Sequence, residues 1–163
     1  MFSSVISPSP DTTDKKTLYA AVNRVLQAVL TGESDPIANL ANAAALLFWN
    51  LPAINWARFY LLKERELVLG PFQGKIACVR IRLGQGVCGT SAENRQTLVV
   101  PNVHEFPGHI ACDSASNSEI VIPIIKNDAL IGVLDIDSPD VARFDDEDKT
   151  GLQTFVQILT VAL

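Results

Sequence analysis

The chain has 163 residues, 48% of them hydrophobic, and a formal net charge of −5. This length suits one domain with a substantial core, and the hydrophobic content excludes a disordered chain. The acidic balance and the absence of a run of Lys or Arg argue against nucleic-acid binding. The longest apolar stretch, residues 43–49, is far shorter than the roughly 20 residues that a membrane span needs. We therefore expect neither a nucleic acid nor a membrane as a partner.

Residues 1–16 are rich in Ser and Pro and are predicted to form a flexible leader before one domain over residues 17–163. The leader has neither the basic start nor the apolar core of a secretory signal. An odd number of cysteines in a chain that is not secreted predicts reduced thiols, so a cytoplasmic location is expected.

The hydrophobic periodicity predicts helices first, then strands, then a final helix. Helices are expected over residues 17–32, 36–50 and 90–94, and from Asp145 to the end of the chain. Strands are expected over residues 57–62, 66–69, 76–81, 98–100, 119–125 and 130–135. Tight turns at 63–65 and 127–128 join strands into hairpins, which indicates an α+β fold with an antiparallel sheet.

The polar stretch of residues 102–117 contains two histidines, a phenylalanine and a cysteine. Loops longer than about 12 residues are uncommon unless they cover a site or are disordered. This composition does not suit a linker, so the stretch is predicted to be an active-site loop.

Gly84, Gly86 and Gly89 match the dinucleotide-binding fingerprint, and they follow a predicted strand. The residues before the next strand are too few for the crossover helix of a Rossmann unit, which argues against nucleotide binding. The free N–H groups of this turn are still suited to an anion such as a carboxylate. At such a helix start we expect a lowered pKa for Cys88.

Three cysteines, at positions 78, 88 and 112, are the only ones in the chain. Cys88 adjoins a glycine and Cys112 follows a Pro-Gly-His turn, which favours thiol chemistry over packing. A core position on a strand is an equally good interpretation for Cys78. A zinc site with His104 and His109 is not favoured, because no Cys-x-x-Cys pair is present, and we expect no metal.

Carboxylates are concentrated late in the chain, at Asp113, Glu119, Asp135 and Asp137. Glu119 shares a predicted strand face with Val121 and Pro123, whereas isoleucines 120, 122 and 124 share the other face. Acids in apolar strand ends are costly unless they are paired or functional, so these residues are candidates for a site rather than solvated strand ends.

Trp56 and Tyr60 are four residues apart on one strand and would share a face. They could wall an apolar pocket, although core packing is the commoner role of aromatic residues.

Several segments together resemble the free methionine-R-sulfoxide reductase family, which is built on a GAF domain. The similarity covers nearly the whole chain from about Tyr19. It rests on IANLANA (37–43), NWARFYLL (55–62), LVLGPFQGK (67–75), GVCGT (86–90), FPGHIACD (106–113), SEIVIP (118–123) and GVLDIDSP (132–139).

The resemblance implies a single GAF-type catalytic domain over residues 17–163, with a central antiparallel sheet and the N-terminal and C-terminal helices packed on one side. It implies reduction of free L-methionine (R)-sulfoxide to L-methionine. Cys112 would be the nucleophile, Cys78 the resolving thiol and Cys88 a secondary thiol. The sulfenic acid formed on Cys112 would give an intramolecular disulfide, which thioredoxin resets.

The same resemblance suggests roles for the other candidates. Glu119 or Asp137 would protonate the departing oxygen, with Glu119 as the catalytic choice. Glu119, Asp135 and Asp137 would suit the substrate ammonium, and backbone N–H groups of Gly86, Val87 and Cys88 its carboxylate. Trp56 and Tyr60 would hold the methyl end. No bound cofactor is expected. Pairing of two copies through the helices is compatible with a GAF fold, and the sequence leaves the oligomeric state open.

A non-catalytic GAF domain that senses a small molecule or thiol oxidation is the alternative, because fold alone does not fix function. Three placed cysteines exceed what ligand binding requires, which favours the enzyme.

Overall fold

The computed structural model describes residues 14–110 and 113–163. The predicted leader therefore lies outside the described residues up to position 13, and Cys112 lies outside them as well. The helices are α1 (Lys15–Leu30), α2 (Pro36–Asn50), α3 (Gly86–Asn94) and α4 (Asp146–Val161), with a short 3₁₀ helix at Val103–Glu105. The strands are β1 (Trp56–Lys63), β2 (Glu66–Gln73), β3 (Arg80–Arg82), β4 (Leu98–Val100), β5 (Ser118–Lys126) and β6 (Ala129–Ser138).

The six strands form one antiparallel sheet in the order β3-β2-β1-β6-β5-β4. The hairpin turns fall where the sequence predicts them, and Asn127 and Asp128 both adopt positive φ in the β5–β6 turn. Asn and Asp tolerate this conformation, which two-residue hairpin turns require. The prediction of an α+β fold is confirmed.

Aspartates begin the three long helices. The side chain of Asp35 accepts a hydrogen bond from the Ala38 N–H, and Pro36 occupies the first turn of α2. Asp145 and Asp148 form a reciprocal capping box at the start of α4. Asp14 caps α1, so that helix starts at Lys15. These side chains satisfy backbone N–H groups that have no partner inside the helix.

The two faces of the sheet carry two separate clusters. Helices α1, α2 and α4 cover one face, where Phe59 of β1, Ile120 and Ile122 of β5 and Leu134 and Ile136 of β6 are buried. On the other face, helix α3 packs over Tyr60, Val121 and Val133. The alternation predicted for β5 is thus confirmed, and it leaves the face under α3 available for polar side chains.

Three predicted elements have an end that differs by four residues from the structure. The second strand ends at Gln73, whereas its predicted end is residue 69. The predicted strand over residues 76–81 is reduced to Arg80–Arg82, because β2 continues to Gln73 and residues 74–79 must turn the chain into the antiparallel β3. Cys78 therefore lies in a connection and is not a strand residue facing the core. Helix α3 begins at Gly86, four residues earlier than predicted.

A buried ion-pair cluster joins α1 to α4 on the side remote from α3. Asp148 is fully buried and accepts hydrogen bonds from Lys15, Arg143 and the Tyr19 hydroxyl at 2.6, 3.0 and 2.8 Å. Burial and the Asp148 carboxylate both raise the pKa of Tyr19.

No helix in the described part of the chain combines the length and apolar character needed to span a bilayer.

Candidate active site

Three neighbouring strands bring charged side chains together on the face under α3. In the sheet register Trp56 of β1 pairs with Asp137 of β6, which pairs with Glu119 of β5. One step further, Arg58 pairs with Asp135. Because alternate residues of a strand share a face, all five side chains point to the same side of the sheet. All five are buried.

Arg58 is the centre of this cluster. Its Nε lies 2.5 Å from Asp135 Oδ2, and its Nη2 lies 2.9 Å from Asp137 Oδ2. Its guanidinium carbon lies 4.7 Å from the Trp56 ring centroid and 5.8 Å from that of Tyr60. Burial acts to lower the pKa of Arg58, but the two aspartates raise it well above its usual value. Arg58 is therefore a permanent cation that compensates the buried carboxylates.

Cys88 is placed by the first turn of α3 against the same acids. Its Sγ lies 3.1 Å from Asp135 Oδ2 and 3.7 Å from Glu119 Oε1. Burial raises the pKa of this thiol well above its usual value, and the negative charges of Asp135 and Glu119 raise it further. The lowered pKa expected for Cys88 is wrong, because these effects exceed the influence of the helix start. Cys88 forms no disulfide, and its raised pKa favours the protonated thiol.

Two of the buried acids, Glu119 and Asp137, have raised pKa values, which favour their neutral forms. Burial raises the pKa of Glu119 well above its usual value, and the charges of Asp135 and Asp137 add to the shift. Burial and the charge of Asp135 raise the pKa of Asp137 to about 7. Arg58 opposes both shifts without cancelling them. A neutral carboxyl group at Glu119 can donate a proton or a hydrogen bond near neutral pH.

A small cavity of about 20 Å³ lies against these groups, which is room for about one water molecule. Its charged and polar lining residues are Arg58, Gln85, Cys88, His109, Asp113, Ser116, Glu119 and Asp137, and the remainder are Ile81, Gly86, Val87 and Ile110. The cavity thus lies between the sheet, the start of α3 and the loop of residues 102–117.

Glycine at position 86 allows the loop to lie close over α3. Gly86 has a φ of +61°, and a methyl group built on it would lie 3.2 Å from Ile110 Cδ1. A side chain here would strain the backbone and crowd Ile110. The motif that looked like a dinucleotide fingerprint therefore serves a short turn, and the strand after α3 is antiparallel to its neighbour, which a Rossmann unit does not allow.

Hydrogen bonds tie the far end of the loop to the sheet. Ser116 Oγ donates to Asp137 Oδ2 at 2.9 Å and accepts from Asn55 Nδ2 at 3.1 Å. The indole N–H of Trp56 donates to Asp113 Oδ2 at 3.2 Å. Asp137 therefore contacts both Ser116 in the loop and Arg58 in the sheet. The protonation state of Asp137 is consequently coupled to the position of the loop.

The predicted site residues other than Cys112, which lies outside the described part of the chain, divide into three groups. Gly86, Val87, Cys88, Glu119 and Asp137 line the cavity. Trp56, Tyr60 and Asp135 lie beside Arg58, behind the lining. Cys78 is half-buried in the β2–β3 connection, where its carbonyl oxygen accepts a hydrogen bond from the Tyr60 hydroxyl at 2.8 Å, and its sulfur is disulfide-bonded.

Arg58, the residue that organises the site, was not among the residues predicted from the sequence. A signal was present: Arg58 lies between Trp56 and Tyr60 on a strand whose other residues are apolar or aromatic as far as Leu62. A buried arginine requires carboxylate partners. Asp135 and Asp137 are two residues apart, as Arg58 is from Trp56 and from Tyr60. Ser116 was also missed, and nothing in the surrounding polar stretch distinguishes it.

Cys88, Glu119 and Asp135 are the side chains best placed to hold a metal ion. In the described part of the chain they form the one cluster of three such groups, with ligand atoms within 4.8 Å of one another, and neither histidine belongs to it. Arg58, however, already donates to the oxygen of Asp135 that faces the Cys88 sulfur. A divalent cation there would be repelled by the guanidinium, so this donor set does not suit one.

The sequence and the structure both match known proteins. The GAF domain family matches residues 25–163. Free methionine-R-sulfoxide reductase of Escherichia coli (strain K12) is 54% identical over 150 residues, which cover 92% of this chain and 91% of that protein. The X-ray structure of free methionine-R-sulfoxide reductase from Neisseria meningitidis in complex with its substrate has a TM-score of 0.90 at 42% identity. It covers 96% of this chain and 94% of the other.

A third match is to the structure of the Staphylococcus aureus enzyme, abbreviated fRMsr, in complex with substrate. Its TM-score is 0.86 at 49% identity, over 97% of this chain and 98% of that one. The fold and the site thus define a GAF domain with a small cavity lined by charged and polar side chains. The chain belongs to the GAF domain family and, within it, to the free methionine-R-sulfoxide reductases.

Proposed function

We propose that this protein reduces free L-methionine (R)-sulfoxide to L-methionine with its own thiols. The observation that carries the proposal is a small cavity at which Glu119, buried and with a raised pKa, lies beside paired acids and a cation. Reduction of a sulfoxide needs a proton donor at the oxygen, and a free amino acid needs groups for both of its charges. The relatives named above support the choice of substrate.

In the first step the Cys112 thiol attacks the sulfoxide sulfur. The oxygen is protonated by Glu119, which regains the proton that the Cys112 thiol loses, and the oxygen is transferred formally to Cys112, so that methionine and a cysteine sulfenic acid are formed. In the second step the Cys78 thiol attacks the sulfenic sulfur, a disulfide forms and water leaves. The disulfide-bonded state of Cys78 supports its role as the resolving thiol.

Reduction of that disulfide completes the cycle. A dithiol protein of the thioredoxin type would transfer two electrons and two protons by thiol–disulfide exchange, so no bound cofactor is needed. Cys88 has a raised pKa and is buried, which suits a secondary thiol that acts after the others or lines the site. A cytoplasmic location fits a cycle that requires repeated reduction.

A homodimer through the helices is also proposed. Ile37 and Trp49 of α2 are exposed at 54% and 77%, which is unusual for large apolar side chains on a helix that packs on a core. Pairing of two copies through this helix would cover them.

The test uses racemic free methionine sulfoxide with thioredoxin, its reductase and NADPH, followed to the endpoint. Consumption of NADPH that stops near half of the added sulfoxide is expected, because one epimer is a substrate. Cys112→Ser should abolish turnover, whereas Cys88→Ser, the matched control, should keep the first turnover. If neither thioredoxin nor dithiothreitol supports consumption, the reductase is excluded and a small-molecule or redox sensor remains.

A further inference from the structure

The connection between β2 and β3, residues 74–79, lies directly against the indole ring of Trp56. Gly74 has a φ of +142°, a conformation that residues with a side chain rarely adopt. A methyl group built on Gly74 would lie 2.4 Å from Trp56 Cε3 and 2.8 Å from its Cδ2. Non-bonded carbon atoms pack at about 3.5–4.0 Å, so this close approach is possible because residue 74 has no side chain.

Two polar contacts hold the same connection. The Tyr60 hydroxyl donates to the carbonyl oxygen of Cys78 at 2.8 Å, and Lys75 Nζ lies 3.5 Å from Asp113 Oδ2. The connection is therefore held near both of its ends. Cys78, whose sulfur is disulfide-bonded, belongs to this held segment.

Trp56 also contacts the second segment that carries a redox cysteine in the proposed cycle. Its indole N–H donates to Asp113 Oδ2 at 3.2 Å, and Asp113 directly follows Cys112 in the sequence. The indole thus has Gly74 against its six-membered ring and Asp113 at its N–H. Because one rigid ring touches both segments, its position sets the distance between them.

The Trp56 ring is the fixed part of this arrangement. It is fully buried and stacks on Phe72, with the two ring centroids 6.0 Å apart. The guanidinium carbon of Arg58 lies 4.7 Å from its centroid. The connection, by contrast, is open to solvent, with Ile76 exposed at 94%. A methyl group added between the two would therefore displace the connection rather than the ring.

We propose that Gly74 is a positioning residue for the resolving step, because its lack of a side chain keeps the Cys78 thiol within reach of Cys112. The proposal rests on the proposed function and deepens it. In that step the Cys78 sulfur attacks the sulfenic sulfur of Cys112, so that an S–S bond forms and the S–O bond breaks. Cys78 is oxidised, the sulfenic sulfur is reduced, and the hydroxyl group leaves with the thiol proton as water.

The size of the expected effect follows from the distance. In Gly74→Ala the methyl group and the Trp56 ring must move apart by about 1 Å to reach an ordinary contact. A misplacement of about 1 Å can slow a step that depends on alignment by about 100-fold. We therefore expect the effective concentration of the Cys78 thiol at Cys112 to fall by about 10- to 100-fold in this variant.

A redox titration with glutathione measures this effective concentration without any turnover. The Cys78–Cys112 disulfide, quantified by mass spectrometry, should be about 10- to 100-fold easier to reduce in Gly74→Ala than in the wild type. Gly32→Ala is the matched control. Gly32 also has a positive φ, +82°, but nothing lies within 4 Å of a methyl group built there. This variant has the backbone strain without the collision and should keep the redox equilibrium of the wild type.

Trp56→Phe separates the contact from a general loss of folding. Phenylalanine has no benzo ring fused to a pyrrole and leaves more room beside Gly74. The redox equilibrium of Gly74→Ala/Trp56→Phe should therefore differ little from that of Trp56→Phe, also when Gly74→Ala alone does not fold. The assignment would be overturned by an equal effect of Gly74→Ala in both backgrounds, by a wild-type equilibrium in Gly74→Ala, or by a similar shift in Gly32→Ala.

A single turnover distinguishes failure of this proposal from failure of the reductase. In a Cys88→Ser background Cys78 is the one thiol left to resolve Cys112. Reduced protein is mixed with free methionine sulfoxide and no reductant. Gly74→Ala should form methionine and leave a sulfenic acid that dimedone traps, whereas Gly32→Ala should form the disulfide.

The outcomes of that experiment have separate meanings. If the protein with glycine at position 74 forms no methionine, the reductase is excluded, and the glutathione titration still decides the role of Gly74. If methionine forms and Gly74→Ala closes the disulfide as fast as the protein with glycine, the reductase stands and Gly74 has no positioning role.

Discussion

Replacement of Asp137 by Asn should change how the stability of the protein depends on pH. Asp137 has a pKa of about 7 in the folded protein and ionises near its ordinary value of 3.8 when unfolded. Between these values the folded state holds one proton more than the unfolded state, so the free energy of unfolding falls as pH rises. Asn resembles the protonated acid and does not titrate.

The magnitude follows from this difference in pKa. A shift of about three pH units corresponds to about 4 kcal/mol in total, of which about 2 to 3 kcal/mol falls between pH 5 and pH 8. Relative to the wild type, Asp137→Asn should therefore gain this amount of stability as pH is raised from 5 to 8. Urea unfolding at several pH values, in dithiothreitol, measures the difference directly.

Asp145→Asn is the control for this measurement. The hydrogen bond from Lys15 lowers the pKa of Asp145 to about 2, so Asp145 titrates below the pH range used. Its stability difference from the wild type should be the same at pH 5 and at pH 8. A difference between wild type and Asp137→Asn that is also independent of pH would refute the assigned proton on Asp137.

Two further predictions concern a thiol and the remote ion-pair cluster. In the reduced protein at pH 8, Cys88 should react with iodoacetamide far more slowly than in the urea-unfolded chain, because burial and the charge of Asp135 raise the pKa of its thiol. Mass spectrometry measures the labelling, and equal labelling of the folded and unfolded chains would contradict the prediction. Tyr19→Phe removes a buried hydrogen bond to the Asp148 carboxylate and should lower the free energy of unfolding, measured in urea, by about 1.5–3 kcal/mol. A decrease below about 0.5 kcal/mol would show that this hydrogen bond does not stabilise the fold.

Most of the fold could be predicted from local sequence patterns. Alternation in β5 separates isoleucines 120, 122 and 124 from Glu119, and the two faces of the sheet follow from it. Helix starts at Asp35 and Asp145 and the turn at Asn127–Asp128 depend on short-range hydrogen bonds and backbone preferences. Such features need no knowledge of distant residues. The strand predicted over 76–81 was wrong because its length depends on how far β2 pairs with β1.

The site was predictable only in part. The glycine turn, the cysteines and the late carboxylates carry recognisable patterns, and five of the predicted residues line one cavity. The pairing of Arg58 with Asp135 and Asp137 joins residues almost eighty positions apart, so no local pattern reveals it.

The sequence by itself determined the elements, the two faces of the sheet and the kinds of side chain near the site, because each depends on neighbouring residues. Only the tertiary structure decided the charges. Burial against Asp135 gives Cys88 a raised pKa, where its place at a helix start had indicated a lowered one. The protonation of Glu119 and Asp137 likewise arises from desolvation and from partners on other strands, which exist once the sheet has formed.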